Sequence, residues 1–190
     1  IRFYKDPEVY KGWDGKDKGV VNFSQSLLGR REFCHYDEIM PVIEMFGGMV
    51  YGPGNEDLGK YNGGQVPFER QMEIMRSSGV LIYGGTWPAC YTLSFIEALM
   101  IGLPIVAVSK QIAHVPKFQN IDFYEVDELM SSISAPVADT VDQMLKHTRE
   151  LLDNASYANE ISHRQRELAI EVFGKDKIAA QWVKLLGGLK

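Results

Sequence analysis

Apolar positions along the chain alternate between short runs rich in β-branched and aromatic residues and longer stretches with helical spacing. Short apolar runs between glycine, proline and polar residues predict strands, whereas apolar residues three or four positions apart predict helices. The predicted strands are residues 20–24, 49–51, 65–66, 80–83, 104–108 and 121–125. The predicted helices are residues 35–46, 67–76, 92–101, 137–152, 157–173 and 175–186.

The alternation of strands and helices predicts the fold class. Strands separated by helices imply βαβ units, and therefore a parallel sheet with helices on both faces. We expect an α/β fold with a doubly wound, parallel, six-stranded Rossmann-like sheet, followed by C-terminal helices from residue 136 onward. For the strand order 3-2-1-4-5-6, ligands bind beyond the carboxyl ends of the first and fourth strands. Residues 25–31 and 84–92 should therefore line the site.

The first residues of the chain differ from the rest. Residues 1–19 have the composition of a linker or edge segment, and residues 20–190 form the predicted domain. The chain begins at Ile1 rather than at methionine, so we expect a further domain upstream. The sequence shows no signal peptide and no apolar run of the roughly 20 residues that a membrane span needs.

Composition narrows the classes of partner. The 190 residues carry a formal net charge of −5, which argues against nucleic acid as a partner. The two cysteines, Cys34 and Cys90, have neither CxxC nor His–Cys spacing, so the sequence predicts neither a disulfide framework nor a zinc site. This use of cysteine fits a reducing compartment, and we expect a cytoplasmic protein.

The loop and helix after residues 80–83 hold the strongest candidate chemistry. Two glycines open the loop, and the helix begins near residue 92. The free N–H groups and the dipole of a helix start form an anion site. Hydroxyl groups there would add hydrogen bonds to a phosphate, and a capping role for Thr92 does not exclude this. The residues expected at this site are Gly84, Gly85, Thr92, Leu93 and Ser94.

Glu97 lies in the second turn of this helix among apolar residues. A carboxylate in such surroundings is costly unless it is hydrogen-bonded. A ribose diol offers two O–H donors and would satisfy it. The alternative is that Glu97 forms a structural ion pair.

Arg30 and Arg31 follow the first predicted strand. The planar guanidinium suits a diphosphate, because it can donate two parallel hydrogen bonds. The alternative is a salt bridge on the helix surface to Asp37 or Glu38. The sequence contains neither GxGxxG nor GxxxxGK[ST], which disfavours the nucleotide-binding modes that those motifs indicate.

The run SFIEALMIGLPIVAV, residues 94–108, resembles the xxxEAMAxGxPVVA segment of GT-B glycosyltransferases, above all family 4 (glycosyl transferases group 1). Weaker similarity extends from Val20 to Leu186. It includes the runs YGPGNED, RSSGVLIYGG and FGKDKIAAQWVKLL. The resemblance implies the C-terminal, donor-binding domain of a two-domain enzyme. The N-terminal acceptor domain of such an enzyme would be missing here, or would be supplied by a partner subunit.

The resemblance also implies roles for individual residues. Glu97 matches the second acid of the EX7E motif, which binds the donor ribose. Thr92 and Leu93 match the helix start that holds the diphosphate, and Arg30 or Arg31 lies near the basic residues that neutralise it. The nucleotide base would lie near Gln65 and Val66. Members of the family bind a nucleotide-sugar as substrate and typically need no metal, so no metal or other cofactor is expected.

One position departs from the family pattern. The first acid of EX7E is replaced by Ala89, where EGFGL has become ACYTL. The sugar and the retaining outcome therefore do not carry over, and the catalytic residues stay unknown. The expected function is sugar transfer from a UDP- or GDP-sugar to an acceptor such as a glycan or lipid-linked glycan, as in polysaccharide biosynthesis. The alternatives are a non-catalytic sugar-nucleotide-binding subunit and half of a nucleotide-sugar epimerase. The isolated chain is expected to transfer little, and the parent protein could associate peripherally with a membrane.

Overall fold

A computed structural model describes residues 2–115 and 124–188. Within them, six parallel strands form one sheet in the order β3-β2-β1-β4-β5-β6, which confirms the predicted fold class and strand order. The strands are β1 (Val20–Phe23), β2 (Met49–Tyr51), β3 (Asn62–Gly64), β4 (Val80–Tyr83), β5 (Ile105–Val108) and β6 (Val137–Ala138). The helices are α1 (Arg31–Cys34), α2 (Tyr36–Phe46), α3 (Phe68–Ser77), α4 (Leu93–Ile101), α5 (Lys110–Ala113), α6 (Val126–Ser132), α7 (Val141–Asp153), α8 (Ala155–Phe173) and α9 (Lys175–Gly187). A 3-10 helix, Glu56–Tyr61, precedes β3.

The core lies on both faces of the central strands. Every residue of β4 and β5 is buried, as expected for parallel strands covered by helices on both sides. Helix α2 packs against α7, and α4 packs against α3 and α8. Strand order reverses between β1 and β4, where Val20 pairs with Val80 and Val21 with Leu81. The ligand crevice predicted from the topology therefore lies beyond the carboxyl ends of these two strands.

Residues 2–19 lie along the domain surface. The Lys5 N–H donates to the Phe173 carbonyl oxygen (2.9 Å), and the Lys175 N–H donates to that of Lys5 (3.0 Å). Trp13 is held through its indole N–H, which donates to the Ser78 carbonyl oxygen at 2.6 Å. Tyr10 is buried in the core. The segment predicted as a linker or edge segment is thus held at several points, and its side chains can contribute to the site.

Two strands lie elsewhere than the sequence predicted. The third strand is Asn62–Gly64 rather than residues 65–66, because this edge strand pairs with β2 through polar and glycine residues that carry no apolar pattern. The sixth strand is Val137–Ala138, which pairs with β5. The prediction of helix alone after residue 136 was therefore wrong. Helix α7 begins at Val141, and Thr140 caps it, because the Thr140 hydroxyl accepts a hydrogen bond from the Gln143 N–H.

The predicted strand at residues 121–125 falls mostly outside the described residues. Residues 121–123 are not described, and Tyr124 and Glu125 do not belong to a strand. A two-residue strand such as Val137–Ala138 is too short to show a period of two. Of the helices in the described part of the chain, none has the length and apolar character that crossing a membrane requires.

Candidate functional site

A cleft of about 420 Å³ opens at the carboxyl ends of β1 and β2, beside α3 and the start of α4. One wall comes from the start of α4, and the opposite wall comes from the ends of β1 and β2 and the loop before α3. Its lining residues are Phe23, Ser24, Gln25, Tyr51, Gly52, Pro53, Gln65, Val66, Phe68, Gln71, Leu93, Ser94 and Glu97. The cleft thus brings together five of the residues predicted from the sequence: Gln65, Val66, Leu93, Ser94 and Glu97. Of the two segments that the topology predicted to line it, residues 25–31 contribute only Gln25 and residues 84–92 contribute none, because the latter loop packs against α1 and α2.

The N-terminus of α4 presents its backbone donors to this cleft. No side chain in the described residues caps the first turn, and the Thr92 hydroxyl instead lies 2.8 Å from that of Ser94. The Thr92 N–H donates to the Tyr83 hydroxyl oxygen at 2.9 Å, and this bond holds the residue before α4 against the end of β4. Leu93 is 54% exposed. The uncapped N–H groups of the first turn therefore favour an anion at this end of the helix.

Tyr83 supports this helix start from the buried end of β4. Burial raises the pKa of Tyr83 to about 12, so its hydroxyl stays protonated at neutral pH. The ring also packs against Phe95, with centroids 4.8 Å apart. The end of β4 and the first turn of α4 are therefore joined by both a hydrogen bond and an aromatic contact.

Glu97 lies on the wall of the cleft and is only 6% exposed. Its two carboxylate oxygens have different partners. Lys5 Nζ donates to Oε1 at 2.6 Å, and Gln71 Nε2 donates to Oε2 at 3.0 Å. The structural ion pair that the sequence left open is therefore present. It does not remove Glu97 from the cleft, and a carboxylate has about four lone-pair sites in all.

Lys5 is the cation of this pair, and its side chain is only 18% exposed. Burial acts to lower the pKa of Lys5, but hydrogen bonds with Glu97 and Tyr10 outweigh it, so that the pKa is raised. The ammonium also lies 5.8 Å from the centre of the Tyr10 ring. Lys5 is thus charged throughout the neutral range and compensates the charge of Glu97.

The far end of the cleft is aromatic. Phe23 and Tyr51, at the ends of β1 and β2, stack with centroids 5.4 Å apart and planes 23° apart. Gly63 lies against the Tyr51 ring, because a Cβ there would come within 2.4 Å of a ring carbon. Sequence analysis missed Phe23, Tyr51 and Gln71. Phe23 and Tyr51 could have been predicted from their position at the ends of neighbouring strands, beside the point where strand order reverses.

The two arginines lie outside the cleft lining. The Arg31 guanidinium donates two hydrogen bonds to the Asp37 carboxylate, one of them at 2.7 Å, and lies 4.9 Å from the centre of the Tyr36 ring. This is the surface salt bridge that the sequence left open. Arg30 is half-buried at the start of α1, and no carboxylate in the described residues pairs with it. Arg31 is therefore paired with Asp37, and neither arginine lines the cleft.

The loop between β4 and α4 packs closely against α1 and α2. A Cβ on Gly84 would lie 2.8 Å from Ile39 Cδ1 and 3.1 Å from the Cys34 carbonyl oxygen, and Gly85 has a φ of +76°. The Trp87 N–H donates to the Phe33 carbonyl oxygen at 2.9 Å. Both glycines thus shape the loop rather than line the cleft. Ala89 lies in a tight turn, where its N–H donates to the Thr86 carbonyl oxygen at 2.7 Å.

His35 is the buried histidine next to this loop. It joins α1 to α2 in a left-handed conformation with a φ of 58°, and it is 5% exposed. Burial lowers the pKa of His35 to about 4, so the ring is neutral at physiological pH. Within the described residues, no group of three or more His, Cys, Asp or Glu side chains could hold a metal ion.

Similarity to known proteins is found among solved structures, and it concerns the fold. No family model matches the chain, and no curated protein does. Among solved structures, sucrose-phosphate synthase from Thermosynechococcus elongatus is similar with a TM-score of 0.73 and 13% identity, over 100% of this chain and 52% of that chain. HepE from Anabaena in complex with UDP is similar with a TM-score of 0.70 and 14% identity, over 97% of this chain and 56% of that chain.

The chain has the fold of a GT-B glycosyltransferase domain. A third structure narrows this to the C-terminal domain. The C-terminal domain of LpcC, a glycosyl transferase group 1 family protein from Francisella tularensis, is similar with a TM-score of 0.55 and 9% identity. That match covers 90% of this chain and 99% of that domain, whereas the chain spans about half the length of the two larger structures. The expected resemblance to a GT-B C-terminal domain is therefore confirmed at the level of the fold.

Proposed function

We propose that this GT-B domain binds the donor of a glycosyltransferase, a UDP- or GDP-sugar whose sugar is passed to a glycan or lipid-linked glycan. One observation carries the proposal. A buried carboxylate, Glu97, and an uncapped helix start at Leu93 and Ser94 line the same cleft, which opens at the carboxyl ends of β1 and β2. A nucleoside diphosphate offers the complementary groups, namely hydroxyl donors on its ribose and an anionic diphosphate.

The proposed position of the nucleotide follows from the order of groups along the cleft. Glu97 is four residues after Leu93, so the two lie about 6 Å apart along the helix axis. The diphosphate would accept hydrogen bonds from the first turn of α4, and the ribose hydroxyls would donate to Glu97. The base would then lie toward Gln65 and Val66, beside the Phe23–Tyr51 stack.

The same geometry suggests how the domain would assist transfer. The backbone N–H groups of the first turn of α4 would stabilise the negative charge that develops on the diphosphate as it leaves. A fixed ribose also holds the sugar in one orientation, which lowers the entropic cost of the reaction. Glu97 is the one carboxylate among the cleft-lining residues that the structure describes. We therefore propose that a second domain or a partner subunit binds the acceptor and supplies the group that activates it.

Structures of HepE in complex with UDP and with UDP-glucose are among the structural neighbours, which supports a UDP-sugar as the first donor to test. A calorimetric or thermal-shift titration of the chain with UDP, GDP, ADP and CDP, with and without Mg²⁺, tests the proposal. We expect one of these nucleotides to bind selectively, and to do so without the metal. Absence of binding by all four would contradict the proposed function.

A second candidate function is a sugar-nucleotide-binding subunit without catalysis. Ala89 favours it, because a methyl group stands where the resembling family has an acid. Both candidates predict nucleotide binding, so titration alone does not separate them. Release of sugar from a radiolabelled donor, measured for the chain, for any co-purifying partner and for the two together, does separate them, since a binding subunit would release no sugar itself and would add no activity to a partner that is inactive alone.

A further inference from the structure

The ion pair between Lys5 and Glu97 joins the N-terminal segment, residues 2–19, to the proposed nucleotide cleft. We propose that Lys5 is a positioning residue, which holds the Glu97 carboxylate in the orientation that accepts hydrogen bonds from the ribose. This inference rests on the proposed function and adds to it a residue that neither the motif nor the strand order indicates.

Lys5 approaches the carboxylate from outside the cleft. Glu97 and Gln71 are among the cleft-lining residues, whereas Lys5 is not. Lys5 donates to Oε1 and Gln71 to Oε2, so each oxygen keeps a further lone pair. Two donors on different oxygens also fix the plane of the carboxylate. A ribose diol can therefore bind without displacing Lys5.

The backbone of Lys5 is itself held in place. Its N–H and its carbonyl oxygen bond to Phe173 and Lys175, on either side of the junction between α8 and α9. Lys5 also forms an isolated parallel β-bridge with Gly174 at this junction.

Arg166 of α8 strengthens the same attachment. Its guanidinium donates to the carbonyl oxygens of Pro7 and Tyr10 in the N-terminal segment, at 3.4 and 3.1 Å. It also donates to the carbonyl oxygen of Met100 in α4. The N-terminal segment, α8 and the helix that carries Glu97 are thus tied together, which gives the Lys5 ammonium a defined position.

A positioning role and a merely structural role differ in one measurable quantity, the preference for ribose over 2′-deoxyribose. A structural role would weaken the binding of both nucleotides equally. If Lys5 orients Glu97 toward the ribose, loss of Lys5 removes the benefit of the 2′-hydroxyl. The ratio of the two dissociation constants therefore reports on Lys5 even when overall affinity changes.

The experiment compares UDP with 2′-deoxy-UDP, or GDP with 2′-deoxy-GDP if guanine is the preferred base, by calorimetry on the full chain. We expect the native chain to prefer the ribonucleotide by about tenfold, or about 1.4 kcal/mol. In Lys5→Met we expect the preference to fall below about threefold, while the circular dichroism spectrum and cooperative melting are retained. Lys175→Met is the matched control, because Lys175 pairs with Asp6 on the same segment and does not contact Glu97.

The outcomes separate the two proposals. If the native chain binds no nucleotide, the proposed function fails and this inference fails with it. If the native chain prefers the ribonucleotide and Lys5→Met keeps that preference, the positioning role is wrong while the proposed function stands. Tighter binding by Lys5→Met would also overturn the positioning role, since Lys5 would then block the site. If Lys5→Met does not fold, Lys5→Ala, which likewise leaves no donor facing Glu97, is measured and judged by the same criteria.

Discussion

The Lys5 ammonium lies 2.6 Å from the Glu97 carboxylate, although the two residues stand 92 positions apart in the sequence. The pair joins the N-terminal segment to the helix that forms one wall of the cleft. An ion pair at this depth is costly to break by removing one partner, because the other is left as an uncompensated charge. The position of Glu97 in the cleft therefore depends on how residues 2–19 attach to the domain.

Replacing Glu97 tests the proposed ribose site directly. Glu97→Gln keeps the volume of the side chain but removes the charge that a hydroxyl donor would meet. We expect at least tenfold weaker binding of the preferred nucleoside diphosphate, about 1.4 kcal/mol, by calorimetry. Glu128→Gln is the control, because Glu128 is exposed on α6. Unchanged affinity in a Glu97→Gln protein that only melts earlier would show that Glu97 has a structural role alone.

The contribution of one backbone N–H group at the start of α4 to nucleotide binding can be tested with proline. Leu93→Pro removes one backbone donor, whereas proline is tolerated at the first position of a helix. The preceding residue, Thr92, already has the extended conformation that proline requires of its neighbour. We expect Leu93→Pro to weaken binding of the nucleoside diphosphate by about tenfold or more, since hydrogen bonds to charged groups contribute about 1.5–3 kcal/mol.

Two controls accompany Leu93→Pro. Leu93→Ala keeps the N–H group and reports on the side chain alone, and Ala155→Pro places proline at the first position of α8, away from the cleft. Binding of the corresponding nucleoside, which has no diphosphate, should be the same in Leu93→Pro and in the native chain. Equal loss of nucleoside and nucleotide binding would mean that the helix start holds no phosphate.

Acid should destabilise the domain through His35. Burial lowers the pKa of His35 from 6.5 in the unfolded chain to about 4 in the folded chain. Between these values the unfolded state binds more protons, so stability falls as the pH falls from 6.5 to 4, by roughly 3 kcal/mol in total. His35→Asn should remove this part of the pH dependence, because asparagine tolerates the left-handed conformation and does not titrate.

Urea unfolding of the native chain and His35→Asn at several values between pH 4 and 7 measures the effect. The difference in the free energy of unfolding between the two proteins should change with pH, whatever its size at pH 7. His163→Asn is the control, because His163 is exposed on α8 beside Glu167. A difference that stays constant over this range would contradict the burial of a neutral His35.

A substitution at Gly102 tests why glycine follows α4, at the start of the Gly-Leu-Pro run of residues 102–104. Gly102 ends the helix in the left-handed conformation, with a φ of +84°, and its N–H donates to the carbonyl oxygens of Ala98 and Leu99. A Cβ there would lie 2.7 Å from Ser162 Oγ and 2.9 Å from the Ser162 carbonyl oxygen on α8. Gly102→Ala should destabilise the domain by about 1–3 kcal/mol in urea unfolding. Gly187→Ala is the control, since a Cβ there contacts nothing within 4 Å and should leave stability unchanged or slightly higher.

The sequence predicted the central part of the sheet more reliably than its edges. The strands β4 and β5 are buried on both faces, so they stand out as continuous apolar runs. At the edges, Asn62–Gly64 and Val137–Ala138 are short, and β3 is formed by asparagine and glycine alone. Backbone pairing with a neighbouring strand decides such segments, and their own side chains carry too little pattern to predict it.

The sequence by itself determined the parallel α/β fold and singled out one group of the cleft. The alternation of strands and helices predicts the parallel sheet, and Glu97 is conspicuous because a carboxylate interrupts an apolar helix. Only the tertiary structure decided which partner each charged residue meets: Lys5 for Glu97 and, of the two acids that the sequence offered, Asp37 for Arg31. The physical reason is that an ion pair depends on a distance of a few ångströms in space. For Lys5 and Glu97 that distance is set by the attachment of the N-terminal segment to α8 and α9, which no local pattern in the sequence records.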